Sequence, residues 1–125
     1  LKHLDQDNAY RRALCAWYDE SLDGKVQRVP VRDGCESARH LYQILAEDRD
    51  QVMLGLNEYK IYPGVHYREN TVYPMYAGMR GTCPRAQDAS ARVISLPLHM
   101  RLTRDDVTRI SGALREILNR LGRAG

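Results

Sequence analysis

The sequence predicts one α+β domain, in which helices alternate with a few short strands packed as two layers. Three observations carry this. A chain of 125 residues that is 43% apolar and 28% charged is long enough for one buried core and ordinary in balance for a globular protein. Apolar residues recur at helical spacing near both ends and at two places between. The remaining apolar runs are short, bounded by Gly and Pro, and either alternating or continuous, as strands are.

Residues 1–22 read as a helix, because Tyr10, Leu14, Tyr18 and Leu22 share one face with Ala13 and Trp17 beside them, and Gly24 follows as a stop. Leu1-Lys2-His3 supplies no N-cap although the pattern there is already helical, so the chain is expected to be a piece of a longer polypeptide. The stripe is long for a domain of this size to cover, so the chain alone is expected to self-associate. Residues 26–31 (VQRVPV) alternate as a strand, and Pro30, with no N–H to donate, puts that strand on an edge. Asp33-Gly34 marks a turn. Residues 40–46 (HLYQILA) are the most apolar run and read as an inner strand covered on both faces.

A second helix is expected from Asp48, with Gln51 placed as in a capping box and Val52, Met53, Leu56 and Tyr59 on the apolar face. Residues 61–67 (IYPGVHY) are a short strand or extended loop broken by Pro63-Gly64. Residues 68–81 are irregular, with one helical turn around Tyr73-Pro74-Met75-Tyr76. Thr82-Cys83-Pro84 opens a third helix whose buried side is Ala86, Ala89, Val93 and Ile94, and residues 95–100 (SLPLHM) form an extended link. The last helix is capped by Thr103 with Asp106 at its third position. Val107, Ile110, Leu114, Ile117, Leu118 and Leu121 fill one arc, with Arg104, Arg109, Arg115, Arg120 and Arg123 opposite. Residues 122–125 are expected to fray. No internal repeat, low-complexity tract or linker interrupts the pattern.

Composition narrows the chemistry. No apolar run approaches the ~20 residues of a membrane span, and no secretory leader is expected, since no basic-then-apolar pattern is read here. Cys15, Cys35 and Cys83 are odd in number and widely spaced, which favours free thiols in the cytoplasm. The histidines, at 3, 40, 66 and 99, have no metal-ligand spacing, so no metal site is expected. The sequence holds no phosphate-binding loop, dinucleotide fingerprint or nucleophile elbow. A net charge of +3 is mild, and Asp105 and Glu116 dilute the arginine side of the last helix, so that side reads as solvated rather than as a nucleic-acid surface. Eight tyrosines with no phenylalanine favour rings at half-wet clefts and interfaces, or drift in a single sequence.

One corner carries chemistry. Gly64-Val65-His66-Tyr67-Arg68 crowds a His, a Tyr and an Arg beside a Pro-Gly break. Alternation along an extended chain points His66 and Arg68 one way and Tyr67 the other. Arg68 suits a phosphate, His66 is donor or acceptor, and Tyr67 is a donor. Spacing alone favours a turn whose polar residues face water.

Further motifs flank this corner: Leu1-Lys2-His3-Leu4-Asp5 with Asn8-Ala9-Tyr10-Arg11-Arg12, His40-Leu41-Tyr42, Arg49-Asp50, Cys83-Pro84-Arg85-Ala86, Ser95-Leu96-Pro97-Leu98-His99, and Leu102-Thr103 with Asp106-Val107. In this order and spacing they resemble the C-terminal domain of the DegT/DnrJ/StrS family of pyridoxal-phosphate (PLP) sugar aminotransferases. The resemblance implies the small C-terminal domain of a type I PLP aminotransferase fold, with residues 1–24 as the helix linking it to a large domain and residues 25–125 as the small domain. It implies a homodimer that moves an amino group, usually from glutamate, onto a nucleotide-linked keto-sugar. On that basis His66, Tyr67 and Arg68 contact the sugar nucleotide, Tyr73 stands behind them, and His40 is structural beneath the site.

The family's Schiff-base lysine has a Ser/His-rich context that Lys2, Lys25 and Lys60 lack, so no catalytic residue and no PLP binding are expected of this segment alone. Tyr62-Pro63 stands where many relatives have Gly-Thr, and residues 68–73 replace a Pro-rich stretch, which marks a subgroup. The second class of function is a stand-alone, non-catalytic module that docks on a full-length relative.

Overall fold

The apolar run at residues 40–46 supplies the central strand of the sheet. The computed structural model describes residues 2–122 and holds, in chain order, α1 (Leu4–Leu22), β1 (Gln27–Arg28), β2 (Tyr42–Leu45), α2 (Arg49–Glu58), two 3₁₀ segments (Asn70–Val72 and Pro74–Met79), α3 (Pro84–Arg92), β3 (Val93–Leu96) and α4 (Arg104–Gly122). The strands form one antiparallel sheet in the order β1-β2-β3. Gln27 and Arg28 of the alternating 26–31 segment pair with β2, the Val29 amide adds a bond to the Gln43 carbonyl (3.2 Å), and the strand lies on the edge, as Pro30 requires. A turn at Asp33-Gly34 is closed by the Cys35 amide on the Arg32 carbonyl (3.0 Å), with Gly34 at φ +75°.

Register gives the sheet two faces. Tyr42 pairs with Leu96 and Ile44 with Ile94, and these four join Leu14, Tyr18 and Leu22 of α1, Val52 and Leu56 of α2, and Val107, Leu114 and Ile117 of α4 in one core. Gln43 pairs with Ser95 and Leu45 with Val93, and period-two alternation sends these to the other face. α3 and the segment after Gly64 lie along that second face.

Several expectations change. The α1 stripe is covered by the domain itself: Leu14, Tyr18 and Leu22 are fully buried, and the Tyr10 and Tyr18 hydroxyls donate to the Leu102 and Pro97 carbonyls (2.7 and 2.8 Å). Trp17 is edge-on to Tyr10 and lies under the Arg104 guanidinium, 5.8 Å from the ring centre. The ground for expecting self-association through this stripe is therefore gone. The Asp48 side chain makes no capping bond to α2, although its carbonyl accepts from the Val52 amide (3.0 Å). The third helix ends at Arg92, and Val93-Ile94 enter β3, because these β-branched residues find ladder partners on β2. Ala86 and Ala89 are exposed, and α3 has no buried residue.

The last helix follows the sequence. The Thr103 hydroxyl accepts from the Asp106 amide (3.2 Å), while the Asp106 carboxylate accepts from the Thr103 amide (2.9 Å) and hydroxyl (2.8 Å). Arg123 and the expected fraying at 123–125 lie outside the described residues.

Candidate functional site

The polar corner is tied to the second face of the sheet. The Gly64 amide donates to the Ser95 carbonyl (2.9 Å) and the Ser95 amide to the Gly64 carbonyl (2.8 Å), a single-residue bridge on the outer edge of β3. Two residues on, the His66 carbonyl accepts from the Gln43 side-chain amide. The imidazole folds back over Gly64, so that a Cβ at position 64 would sit 2.7 Å from His66 Cε1. The His66–Tyr67 peptide is cis, and the two rings meet edge to face at 5.1 Å. Tyr67 is 73% exposed, Arg68 is exposed, and His66 is half-buried with Nδ1 covered and unpartnered.

Glu69 closes the corner from behind. Its amide donates to the Ser90 hydroxyl (3.0 Å), and one carboxylate oxygen accepts from the Thr71 amide (3.0 Å) and hydroxyl; the other oxygen, Oε1, is buried without a partner. Arg49 donates to the Ser90 carbonyl (2.7 Å), which joins the start of α2 to α3. Arg92 binds Glu47 (3.0 Å), Gln27 (3.2 Å) and Asp88 (2.5 Å). With no apolar anchor of its own, α3 is held to the sheet by these arginines and by the Ala46 amide on the Arg92 carbonyl (3.0 Å).

Two hollows result. One, of about 450 Å³, has Gln43, Leu45 and Val93 as its floor, Val29 and Pro30 on one wall and Ala86 and Ala89 on the other, and His66, Tyr67 and Glu69 at its end. The other, of about 660 Å³, is lined by Arg49, Arg68, Glu69, Gln87 and Ser90. His66 and Tyr67 thus share a cleft and Arg68 serves its neighbour, which corrects the alternation expected from sequence. Only Gly64 of this segment is held in a ladder, so the period-two rule does not reach residue 66.

The other two sequence candidates are not brought in. Tyr73 is half-exposed at the start of the Pro74–Met79 segment and lines neither hollow. His40 is exposed two residues before β2, not beneath the site, because the buried positions of that strand begin at Tyr42. Gln43, Glu69 and Ser90 were missed. The one signal for Gln43 was a lone polar residue inside an apolar run.

A third hollow, of about 560 Å³, holds Asp19, Arg28 and Tyr42 with their charges satisfied among themselves. The Tyr42 hydroxyl donates to Asp19 (2.8 Å), and Arg28 pairs with Asp19 (2.9 Å) and Asp23 (3.3 Å). Burial first, then the hydrogen bond to Asp19, pushes the Tyr42 phenol well above its ordinary range.

Residues 1–115 match the DegT/DnrJ/EryC1/StrS aminotransferase family. The chain belongs to this family. It is 33% identical, over 99% of its length and 34% of the relative's, to the dTDP-3-amino-3,4,6-trideoxy-alpha-D-glucose transaminase of Streptomyces venezuelae. It is 30% identical to a UDP-N-acetyl-3-dehydro-alpha-D-glucosamine 3-aminotransferase of Acidithiobacillus ferrooxidans, over 94% of this chain and 32% of that one. Among solved structures, S. venezuelae DesV superposes with a TM-score of 0.89 at 31% identity, covering 94% of this chain and 33% of that one. The apo-form of Spr1654 from Streptococcus pneumoniae reaches 0.91 at 22% identity, covering 99% and 34%, and shows the shared fold. The chain spans about a third of the length of the curated relatives it matches.

Lys2, Lys25 and Lys60 are all exposed, and Lys25 lines a small hollow of about 80 Å³ with Arg115, Leu118 and Asn119. Among the described residues no group of three or more His, Cys, Asp or Glu side chains is placed to hold a metal ion, and no helix is long and apolar enough to cross a membrane.

Proposed function

We propose that this chain is the small domain of a cytoplasmic, homodimeric PLP-dependent aminotransferase acting on a nucleotide-linked keto-sugar, with glutamate as amino donor. In this reading α1 links it to a large domain that carries the Schiff-base lysine, and PLP, when bound there, supplies the electron sink for amino transfer. The observation that carries the reading is the placement of His66 and Tyr67 at the end of one cleft with Arg68 on the adjoining hollow, all on the sheet face that the domain's own core leaves free.

The work of these side chains is binding and orientation. Arg68 offers a guanidinium fork suited to phosphate oxygens, and Tyr67 an exposed hydroxyl. Met75 and Met79 are exposed and apolar, and they favour contact with the large domain.

The test is steady-state kinetics of the complete protein with a dTDP- or UDP-linked keto-sugar. Loss of a charge-assisted hydrogen bond costs about 1.5–3 kcal/mol, so Arg68→Ala should raise KM roughly 10- to 150-fold with kcat little changed. Values of kcat/KM within about twofold of wild type for both His66→Ala and Arg68→Ala would refute the assignment.

A further inference from the structure

Residues 65–92 leave one strand and return to it. Gly64, just before them, bridges Ser95 of β3, and Arg92, their last member, runs directly into Val93 at the start of β3. The chain between can therefore move without changing the order of the strands. It carries His66, Tyr67 and Arg68, the two 3₁₀ segments and α3, and only Thr71 in it is buried. Met75, Tyr76 and Met79 are exposed, and the hollow of about 450 Å³ separates the alanines of α3 from the sheet. A segment with so few buried apolar contacts opens at a lower free energy than the core it lies on.

What holds this stretch is polar, and two arginines do most of it. Arg49 donates from the start of α2 to the Ser90 carbonyl (2.7 Å), and the Ser90 hydroxyl accepts from the amide of Glu69, the residue after Arg68 (3.0 Å). Arg49 thus holds α3 and, through Ser90, the polar corner. Arg92 reaches back to Gln27 on β1 (3.2 Å) and to Glu47 just beyond β2 (3.0 Å). The Glu47 carboxylate is 83% exposed, so water competes for that pair. Further ties are the Gln43 side chain on the His66 carbonyl and the Ala46 amide on the Arg92 carbonyl (3.0 Å).

We propose that residues 65–92 open and close as one layer while the core stays folded, and that Arg49 and Arg92 are positioning residues that set the balance. Closed, the layer brings His66 and Tyr67 to one hollow and Arg68 to its neighbour. Open, it disperses them. A ligand that touches all three binds the closed form and shifts the balance towards it. That consequence rests on the reading that these residues contact the sugar nucleotide, whereas the opening and its dependence on the two arginines do not.

The experiment is hydrogen exchange by mass spectrometry on the complete protein, read on peptides from this chain. Peptides within 65–92 should exchange together, about tenfold or more faster than those of β2, β3 and α4. Arg49→Ala and Arg92→Ala should each speed them about three- to tenfold and leave β2 and α4 unchanged, which also certifies that the variants are folded. Arg49→Lys, which keeps a cation able to donate to the Ser90 carbonyl, should restore the wild-type rate. A dTDP- or UDP-linked keto-sugar at about ten times its Kd, without amino donor, should slow the layer roughly tenfold. Exchange of 65–92 as slow as the core in wild type, an unchanged rate in either folded alanine variant, or equal acceleration of β2 and α4 would overturn the proposal. Arginine-dependent opening that the keto-sugar does not slow would instead overturn the substrate reading and leave the layer intact.

Discussion

Replacing Tyr18 with Phe removes one oxygen from the centre of the domain and keeps everything else. The ring is fully buried and stacks on Tyr42 at 4.6 Å and 26°, a contact that Phe retains. What goes is the hydroxyl that donates to the Pro97 carbonyl at 2.8 Å, just beyond β3. Tyr18 is fully buried, so no water takes the place of its hydroxyl, and an acceptor orphaned there costs about 1–3 kcal/mol. Tyr10→Phe is the control. Its hydroxyl reaches the Leu102 carbonyl at 2.7 Å, but the ring is only half-buried, so water replaces the lost donor and the cost stays near ~0.5 kcal/mol. In urea, with a slope of about 2 kcal/mol per molar, Tyr18→Phe should lower the midpoint by about 0.5–1.5 M and Tyr10→Phe by a few tenths. Equal midpoints for the two variants would refute the claim that α1 is locked to the 97–102 link by a buried hydroxyl.

Three further outcomes follow from the packing. Burial pushes the Cys15 thiol up to about 11, whereas Cys35 and Cys83 are exposed, so a thiol reagent at pH 8 should modify two cysteines quickly and Cys15 only on unfolding, read by mass spectrometry. The Thr103 amide, then its hydroxyl, hold the Asp106 carboxyl below its ordinary value. A folded value below the unfolded one, about 3.9, means the stabilisation is present above that pH and lost as pH falls through the folded value. Asp106→Asn should therefore be less stable than wild type at pH 7, and the gap should close below pH 4 in a series of thermal melts. A Cβ on Gly55 would lie 3.0–3.1 Å from three carbons of buried Ile117, whereas one on Gly112 meets open space. Overpacking of about 1–3 kcal/mol exceeds the roughly 1 kcal/mol of helix propensity gained, so Gly55→Ala should lower Tm and Gly112→Ala raise it.

The elements legible in sequence were those whose local pattern and tertiary role agree. α4 shows its cap and its apolar arc, and β2 its continuous apolar run. β3 was hidden because Val93 and Ile94 continue the helical spacing of Ala86 and Ala89; only the ladder with β2 reassigns them. α3 misled because its alanines look like a buried side, while polar clasps from Arg49 and Arg92 are what hold it. The tyrosine excess pointed to half-wet surfaces, which holds for Tyr62, Tyr67, Tyr73 and Tyr76 but not for Tyr18 and Tyr42, whose hydroxyls find partners inside. At the site, the GVHY corner was visible as a motif. Its supports were not, because Gln43 and Ser95 act through register, which no local window contains.

The central claim is that this domain completes an aminotransferase whose cofactor is held by residues outside the chain. The most direct test is borohydride reduction of the complete protein loaded with PLP, followed by peptide mapping, beside the 125-residue chain treated alike. The account predicts a pyridoxyl-lysine outside this chain and none within it. A specific adduct on Lys2, Lys25 or Lys60 would contradict it.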